Sequence, residues 1–124
     1  MLGRSLVPVR TDVHGLLPDY LDAACRRAGA RTLVCTPTLY NPTTATMPLE
    51  RRQDVLRVCE RHDLQAIEDD AYNFLLDLPV PPLAVLAPER VTHISSLAKI
   101  VGAGWRLGFL RAPAMLRDAL GSAL

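Results

Sequence analysis

The sequence predicts an α/β fold, a mainly parallel sheet with flanking helices, and three observations lead there. Short β-rich runs alternate with helical patterns along the 124 residues, in the order strand, helix, strand, helix, strand. The first clear run, Thr32-Leu33-Val34-Cys35-Thr36, is uninterruptedly apolar or β-branched. It reads as a strand buried in a parallel sheet covered on both faces. The composition, 49% hydrophobic and 22% charged, is that of a globular chain of a length that suits one domain and not two.

The elements follow in order. Leu6-Val7-Pro8-Val9 is a short extended piece, and Asp12 to Gly15 reads as a turn. Pro18 suits the first turn of a helix; Tyr20, Leu21, Ala24 and Cys25 then fall at helical spacing, and Gly29 is a natural stop. After the Thr32–Thr36 strand, the Pro- and Thr-rich stretch from Pro37 to Met47 is long for a structureless loop in a compact domain, which marks it as functional. Pro48 opens the clearest helix, with Leu49, Leu56 and Cys59 on one face, widened by Val55 and Val58, and Glu50, Arg51, Asp54, Arg57 and Arg61 opposite. It ends near His62-Asp63, and Leu64 to Glu68 reads as the second strand. Pro79, Pro81, Pro82 and Pro88 keep residues 75–88 from holding regular structure for long. Val91 to Ser95 is the third strand, Trp105 to Leu110 a fourth, and Pro113 opens a last helix with Met115, Leu116 and Leu120.

Charge and cysteine usage narrow the function. A net charge of +1 gives no clustered basic case for nucleic acid or an anionic membrane. Cys25, Cys35 and Cys59 lack metal-type spacing and read as small buried hydrophobes of a reducing compartment. His14, His62 and His93 form no ligand cluster, so no metal is expected. No apolar run reaches signal-peptide or membrane-span length, which makes the cytoplasm the expected location.

The chemistry concentrates in Ser95-Ser96-Leu97-Ala98-Lys99-Ile100-Val101-Gly102-Ala103-Gly104-Trp105-Arg106-Leu107-Gly108-Phe109. Lys99 is the only lysine; the other thirteen cationic residues are arginine. A lysine here has two readings: a solvated surface amine, or a nucleophile that forms Schiff bases with carbonyl compounds. Arginine cannot substitute where the work needs a deprotonated amine, so a lone lysine in an arginine-using chain favours the second. Asn41, Asp69 and Lys99 each follow a strand, at or just beyond its carboxyl end, where open parallel sheets bind ligands.

Ser96-x-x-Lys99 followed by Arg106-Leu107-Gly108-Phe109, with Asn41-Pro42-Thr43 and Asp69-Asp70-Ala71-Tyr72 upstream in the same order, resembles the class I/II aminotransferases, the fold-type I enzymes dependent on pyridoxal phosphate (PLP). Thr36-Pro37-Thr38-Leu39-Tyr40-Asn41-Pro42, Leu49-Glu50-Arg51-Arg52 and Glu68-Asp69-Asp70 are most similar to the aminotransferase-like domain of MocR-type GntR regulators and related aminotransferases. The resemblance implies that residues 1–124 are the central part of the PLP-binding large domain, without its N-terminal part and without the small C-terminal domain.

It also implies roles. Lys99 is the catalytic residue, holding PLP as a Schiff base and then moving a proton on the substrate. Asp69 pairs with the pyridine nitrogen, a carboxylate favouring its protonated form; strand alternation points Asp70 away from the ring. Asn41 and Tyr72 bond the 3′-oxygen, and Ser96 and Arg106 bind the phosphate. Gly102 and Gly104 allow a tight turn between Lys99 and Arg106. The bland alternatives are an acidic turn at Asp69-Asp70, a core tyrosine at Tyr72 and a turn-forming Asn41. Thr44 departs from the glycine that many relatives carry after Asn-Pro-Thr.

The implied activity is transfer of an amino group between an amino acid and a 2-oxo acid, in a parent that is a homodimer. The alternatives are the PLP-binding effector domain of a MocR-type regulator and an inactive remnant.

Overall fold

The computed structural model describes residues 3, 5–102 and 104–123. A two-residue hairpin opens the fold, β1 (Thr11–Asp12) against β2 (Gly15–Leu16). Its turn is fastened by the Asp12 carboxylate, which accepts the His14 N–H at 2.8 Å. Helix α1 (Pro18–Ala28) begins on its proline and ends at Gly29, whose φ of 60° is the left-handed conformation that glycine adopts without a Cβ penalty. The sheet follows: β3 (Thr32–Cys35), β4 (Gln65–Asp69), β5 (Val91–Ser96) and β6 (Gly108–Arg111), in that spatial order. β3–β4 and β4–β5 are parallel, and β5–β6 is antiparallel. Helix α2 (Leu49–Arg61) crosses from β3 to β4, the short α3 (Leu83–Leu86) precedes β5, and α4 (Ala114–Gly121) follows β6.

Register and alternation divide the sheet into two unlike faces. Leu33 and Cys35, Ala66 and Glu68, and Val91 and His93 share one face. There Leu33, Cys35, Ala66 and Val91 form a single core with Val55, Val58 and Cys59 of α2 and Leu83 of α3. On the other face Val34 is 66% exposed, with Ile94 and Leu110 also exposed. The expectation that the first strand is covered on both faces is therefore corrected: the core built with α1, α2 and α3 lies on one face of β3, and Val34 on the other stays exposed. An apolar run cannot by itself say which elements will lie across it.

Two further boundaries differ from the sequence reading. The fourth strand starts at Gly108, and Trp105 lies outside it, 57% exposed, because the turn after Lys99 consumes those residues. Pro82 is the N-cap of α3, which gives the proline-rich stretch one helical turn. The three cysteines are buried and unpaired as disulfides. No helix among the described residues is long and apolar enough to cross a membrane.

Candidate functional site

The long Pro37–Met47 loop, the tail of β4 and the tail of β5 all lie beyond the carboxyl ends of the parallel strands, the edge where ligands sit in such sheets. Asn41 is exposed on the first of these. Its peptide bond to Pro42 is cis, and the loop closes on itself through paired Tyr40 and Ala45. Thr44 has φ of 57°, a left-handed conformation unfavourable for a β-branched residue. Thr44→Gly is expected to stabilise the chain by roughly 0.5–1 kcal/mol, relief of that strain being partly offset by the greater unfolded-state entropy of glycine. The urea midpoint reads this directly; a lower midpoint would contradict it.

Asp69 ends β4 on the open face, exposed, its carboxylate accepting the Ala71 N–H at 3.3 Å. Asp70 turns to the other side and is 4% exposed, so the two aspartates face opposite ways, as alternation requires. Tyr72, half-buried, follows. Ser96, the last residue of β5, is on the same face as Asp69. It caps the 3-10 turn Leu97–Lys99, its Oγ accepting the Ala98 N–H at 3.2 Å. Lys99 is exposed, and its Nζ stands 5.7 Å from the centre of the Tyr72 ring. That contact joins the tails of two different strands. The Leu97 N–H donates to the Leu107 carbonyl at 3.0 Å, and Ser96 pairs with Gly108, which brings the exposed Arg106 back beside Ser96. Gly102 has φ of 143°, a backbone that other residues rarely adopt, so the expected glycine turn is present; Ala103 is outside the described residues.

The six residues thus lie along one edge, with Lys99 and Tyr72 in contact and Arg106 two residues before Gly108, the strand partner of Ser96. A cavity of about 610 Å³ lies elsewhere, between the Ser5–Val9 segment and the outer strand β3. It is the gap beside an edge strand and is lined by none of the six residues.

The residue types fit PLP. An amine, a carboxylate on the open face, two donors for a phenolic oxygen, and a serine beside an arginine for a phosphate are the groups that cofactor needs. The Ser96 Oγ–H has only a long 3.4 Å contact to the Leu107 carbonyl, so its hydrogen is available to a stronger acceptor.

Behind this edge lies a buried polar cluster absent from the sequence reading. Arg52 of α2 is fully buried and donates from Nε to the Met47 carbonyl (3.0 Å), from Nη1 to the Pro81 carbonyl (3.2 Å), and from Nη2 to the Pro37 carbonyl (3.3 Å) and the Thr38 hydroxyl (2.9 Å). Glu68, also fully buried, accepts the Leu83 and Ala84 N–H groups at 2.8 and 3.0 Å and stands 3.8 Å from Arg52. Burial pushes the Glu68 carboxyl up, but its bonds to His93, Ala84 and Leu83 outweigh this and hold it below the usual range. Burial and the Glu68 charge push the Asp70 carboxyl up, against the Thr38 hydroxyl, His93 and Arg52. The signal was present: Arg52 lies three and seven residues before the buried Val55 and Cys59, a charge on the apolar stripe of a helix.

An exposed lysine, a carboxylate and an arginine thus lie beyond the parallel strand ends of an α/β sheet, and comparison with known proteins gives the family. The model of the aminotransferase class I and II family matches residues 3–123. The chain belongs to the aminotransferase class I and II family. It is 33% identical over its whole length to an uncharacterized HTH-type transcriptional regulator, YdeF, of Bacillus subtilis, and covers 27% of that protein. With the aminotransferase swnA of Metarhizium robertsii it shares 35% identity over 97% of its own length, again 27% of the relative. An archaeal alanine:glyoxylate aminotransferase superposes with a TM-score of 0.85 at 32% identity, covering 98% of this chain and 32% of that one. LysN, an α-aminoadipate aminotransferase of Thermus thermophilus complexed with N-(5′-phosphopyridoxyl)-L-leucine, does so with a TM-score of 0.85 at 28% identity, over 94% and 32% of the two chains. The chain therefore spans about a quarter to a third of the length of these relatives.

Proposed function

We propose that this chain is the lysine-bearing central part of the large domain of a PLP-dependent aminotransferase acting between an amino acid and a 2-oxo acid. The observation that carries the reading is the meeting of Lys99 with Tyr72 beside Asp69 at the carboxyl edge of the sheet. When bound, PLP supplies an electron sink for bonds at the substrate α-carbon. Asp69 would hold the proton of the ring nitrogen, Asn41 and Tyr72 would bond the 3′-oxygen, and the Ser96 hydroxyl and Arg106 guanidinium would hold the phosphate. Lys99 Nζ would attach the cofactor and take the substrate Cα proton. The pyridoxyl ligand in the solved LysN structure, at 28% identity, supports the cofactor. A homodimeric parent is part of the proposal.

The test is an absorbance scan of the chain mixed with PLP, then borohydride reduction and peptide mapping. A near-visible band whose reduced adduct maps to Lys99 is expected; a folded chain without that band would sink the reading. A second reading has its own observation, the 33% identity to YdeF along the entire chain. In it the same residues bind PLP in the sensing part of a DNA-binding regulator, and a winged-helix segment encoded upstream would decide for it.

A further inference from the structure

Two acidic side chains flank the proposed cofactor carboxylate in sequence, Glu68 before Asp69 and Asp70 after it, and both turn to the covered face. One imidazole stands against both. His93 lies opposite Glu68 in the β4–β5 register, its Nδ1 3.2 Å from Glu68 Oε2 and its Nε2 3.9 Å from Asp70 Oδ2. Besides His93, the tail of β4 is held by the Thr38 hydroxyl against the Asp70 carboxyl and by one backbone bond. The Asp70 N–H donates to the Ile94 carbonyl at 2.9 Å, and Asp70 Oδ1 is buried with no hydrogen-bond partner among the described residues. A buried acid so placed favours any nearby group that carries positive charge.

We infer that His93 is a positioning residue: by bridging Glu68 and Asp70 it fixes the backbone of Asp69 between them, and so the direction in which the Asp69 carboxylate faces the cofactor. The inference rests on the PLP reading given above. Glu68 is an immovable anchor for the bridge, because the first N–H groups of α3 hold both its oxygens and Arg52 stands behind it. The imidazole hydrogen-bonds Glu68 and faces Asp70 at 3.9 Å as an ion pair beyond hydrogen-bond reach, so it is the charged ring that attracts both carboxylates. The groups facing it are Glu68 and Asp70 from β4 and its tail, Arg111 from β6, and Arg52 from α2 beyond Glu68. Cys35 lies beside Glu68 on β3, and α3 presents no titratable side chain. The bond to Glu68 raises the His93 value, burial opposes this, the charges of Glu68 and Asp70 add to it, and Arg111 subtracts. The bridge is therefore present below the ordinary imidazole value and is lost as pH rises through the raised one.

The experiment has two arms, both on the whole chain. Without cofactor, amide exchange by NMR follows the Asp70 N–H in the native protein, His93→Gln and His93→Leu. In the native protein its protection, corrected for intrinsic exchange, is expected to fall as pH rises through the His93 titration. In His93→Leu it is expected to be lower by about tenfold or more with no such step, while amides of β3 keep theirs. His93→Gln keeps one donor and recovers part of the protection. With PLP added, affinity is expected to fall in the order native, His93→Gln, His93→Leu. Unchanged Asp70 protection in His93→Leu, or equal PLP affinity in that variant and the native chain, overturns the inference. If His93→Leu unfolds, the native pH step and the glutamine variant decide by the same criteria. A native chain that takes up no PLP overturns the function proposed above, and with it the cofactor half of this inference. The exchange arm then still decides whether His93 fixes this backbone.

Discussion

Arg52→Leu is expected to lower the unfolding free energy by about 3–5 kcal/mol, the cost of removing one partner from a buried charge pair. For a chain of this size that is at least about a fifth of a typical total of roughly 5–15 kcal/mol. The reason lies in what Arg52 serves. One guanidinium satisfies three carbonyls, Met47, Pro37 and Pro81, and the Thr38 hydroxyl, all in a region without exposure at Arg52 itself. Removing it orphans those acceptors and leaves Glu68 without its nearest guanidinium. Arg52→Lys is expected to recover little, because a single ammonium cannot reach acceptors arranged around a planar fork. Urea unfolding measures both variants, and a loss below about 1 kcal/mol, the size of an exposed pair, would refute the assignment. The same cluster sets an acid limit. Glu68, depressed on folding, contributes stability above its unfolded value that disappears as pH falls through the folded one. Asp70, raised on folding, acts in the opposite sense and softens that fall.

The contrast between Arg52 and Asp69 shows what the sequence could and could not carry. The place of Asp69, Tyr72, Ser96 and Lys99 at the strand ends was legible because they come in short fixed spacings after strand-like runs, and strand ends can be read from local pattern. Helices α1 and α2 were equally legible, since proline at their starts and the apolar stripe of α2 act within a few residues. The Arg52–Glu68–His93–Asp70 cluster was not, because its members come from α2, β4 and β5 and meet only through the register. Arg52 in sequence looks like its neighbours, the half-buried Arg51 and the exposed Arg57; only its phase on the helix sets it apart. The open face of Val34, Ile94 and Leu110 was misread for a related reason. An apolar run states that a strand belongs in a core without stating what supplies the cover.

Lys99→Ala is expected to abolish the borohydride-fixed PLP adduct outright, the largest effect anticipated at the candidate site. The lone-lysine composition makes this test unusually clean. With thirteen arginines and one lysine, the only other amine in the chain is the α-amino group, so no neighbouring lysine side chain can take over. Lys99→Arg keeps a positive charge at the position whose native amine stands 5.7 Å from the Tyr72 ring centre, yet it is expected to fail as completely, since a guanidinium stays protonated and does not attack the aldehyde. Asp69→Asn separates the roles. It leaves the amine intact, so the adduct on Lys99 still forms, but it removes the charge that favours the protonated ring nitrogen. A loss of about 1–3 pKa units in that nitrogen follows from losing such a partner. The pH dependence of the cofactor band reads the change. A Lys99→Ala protein that still yields a reduced adduct on an internal peptide, or an Asp69→Asn protein whose band titrates as the native one does, would place the cofactor elsewhere than this edge. The pair of results would also discriminate cause from coincidence in the Lys99–Tyr72 contact, because only a lysine at the working site loses its adduct while the fold, held by Arg52 and Glu68 on the opposite face, stays intact.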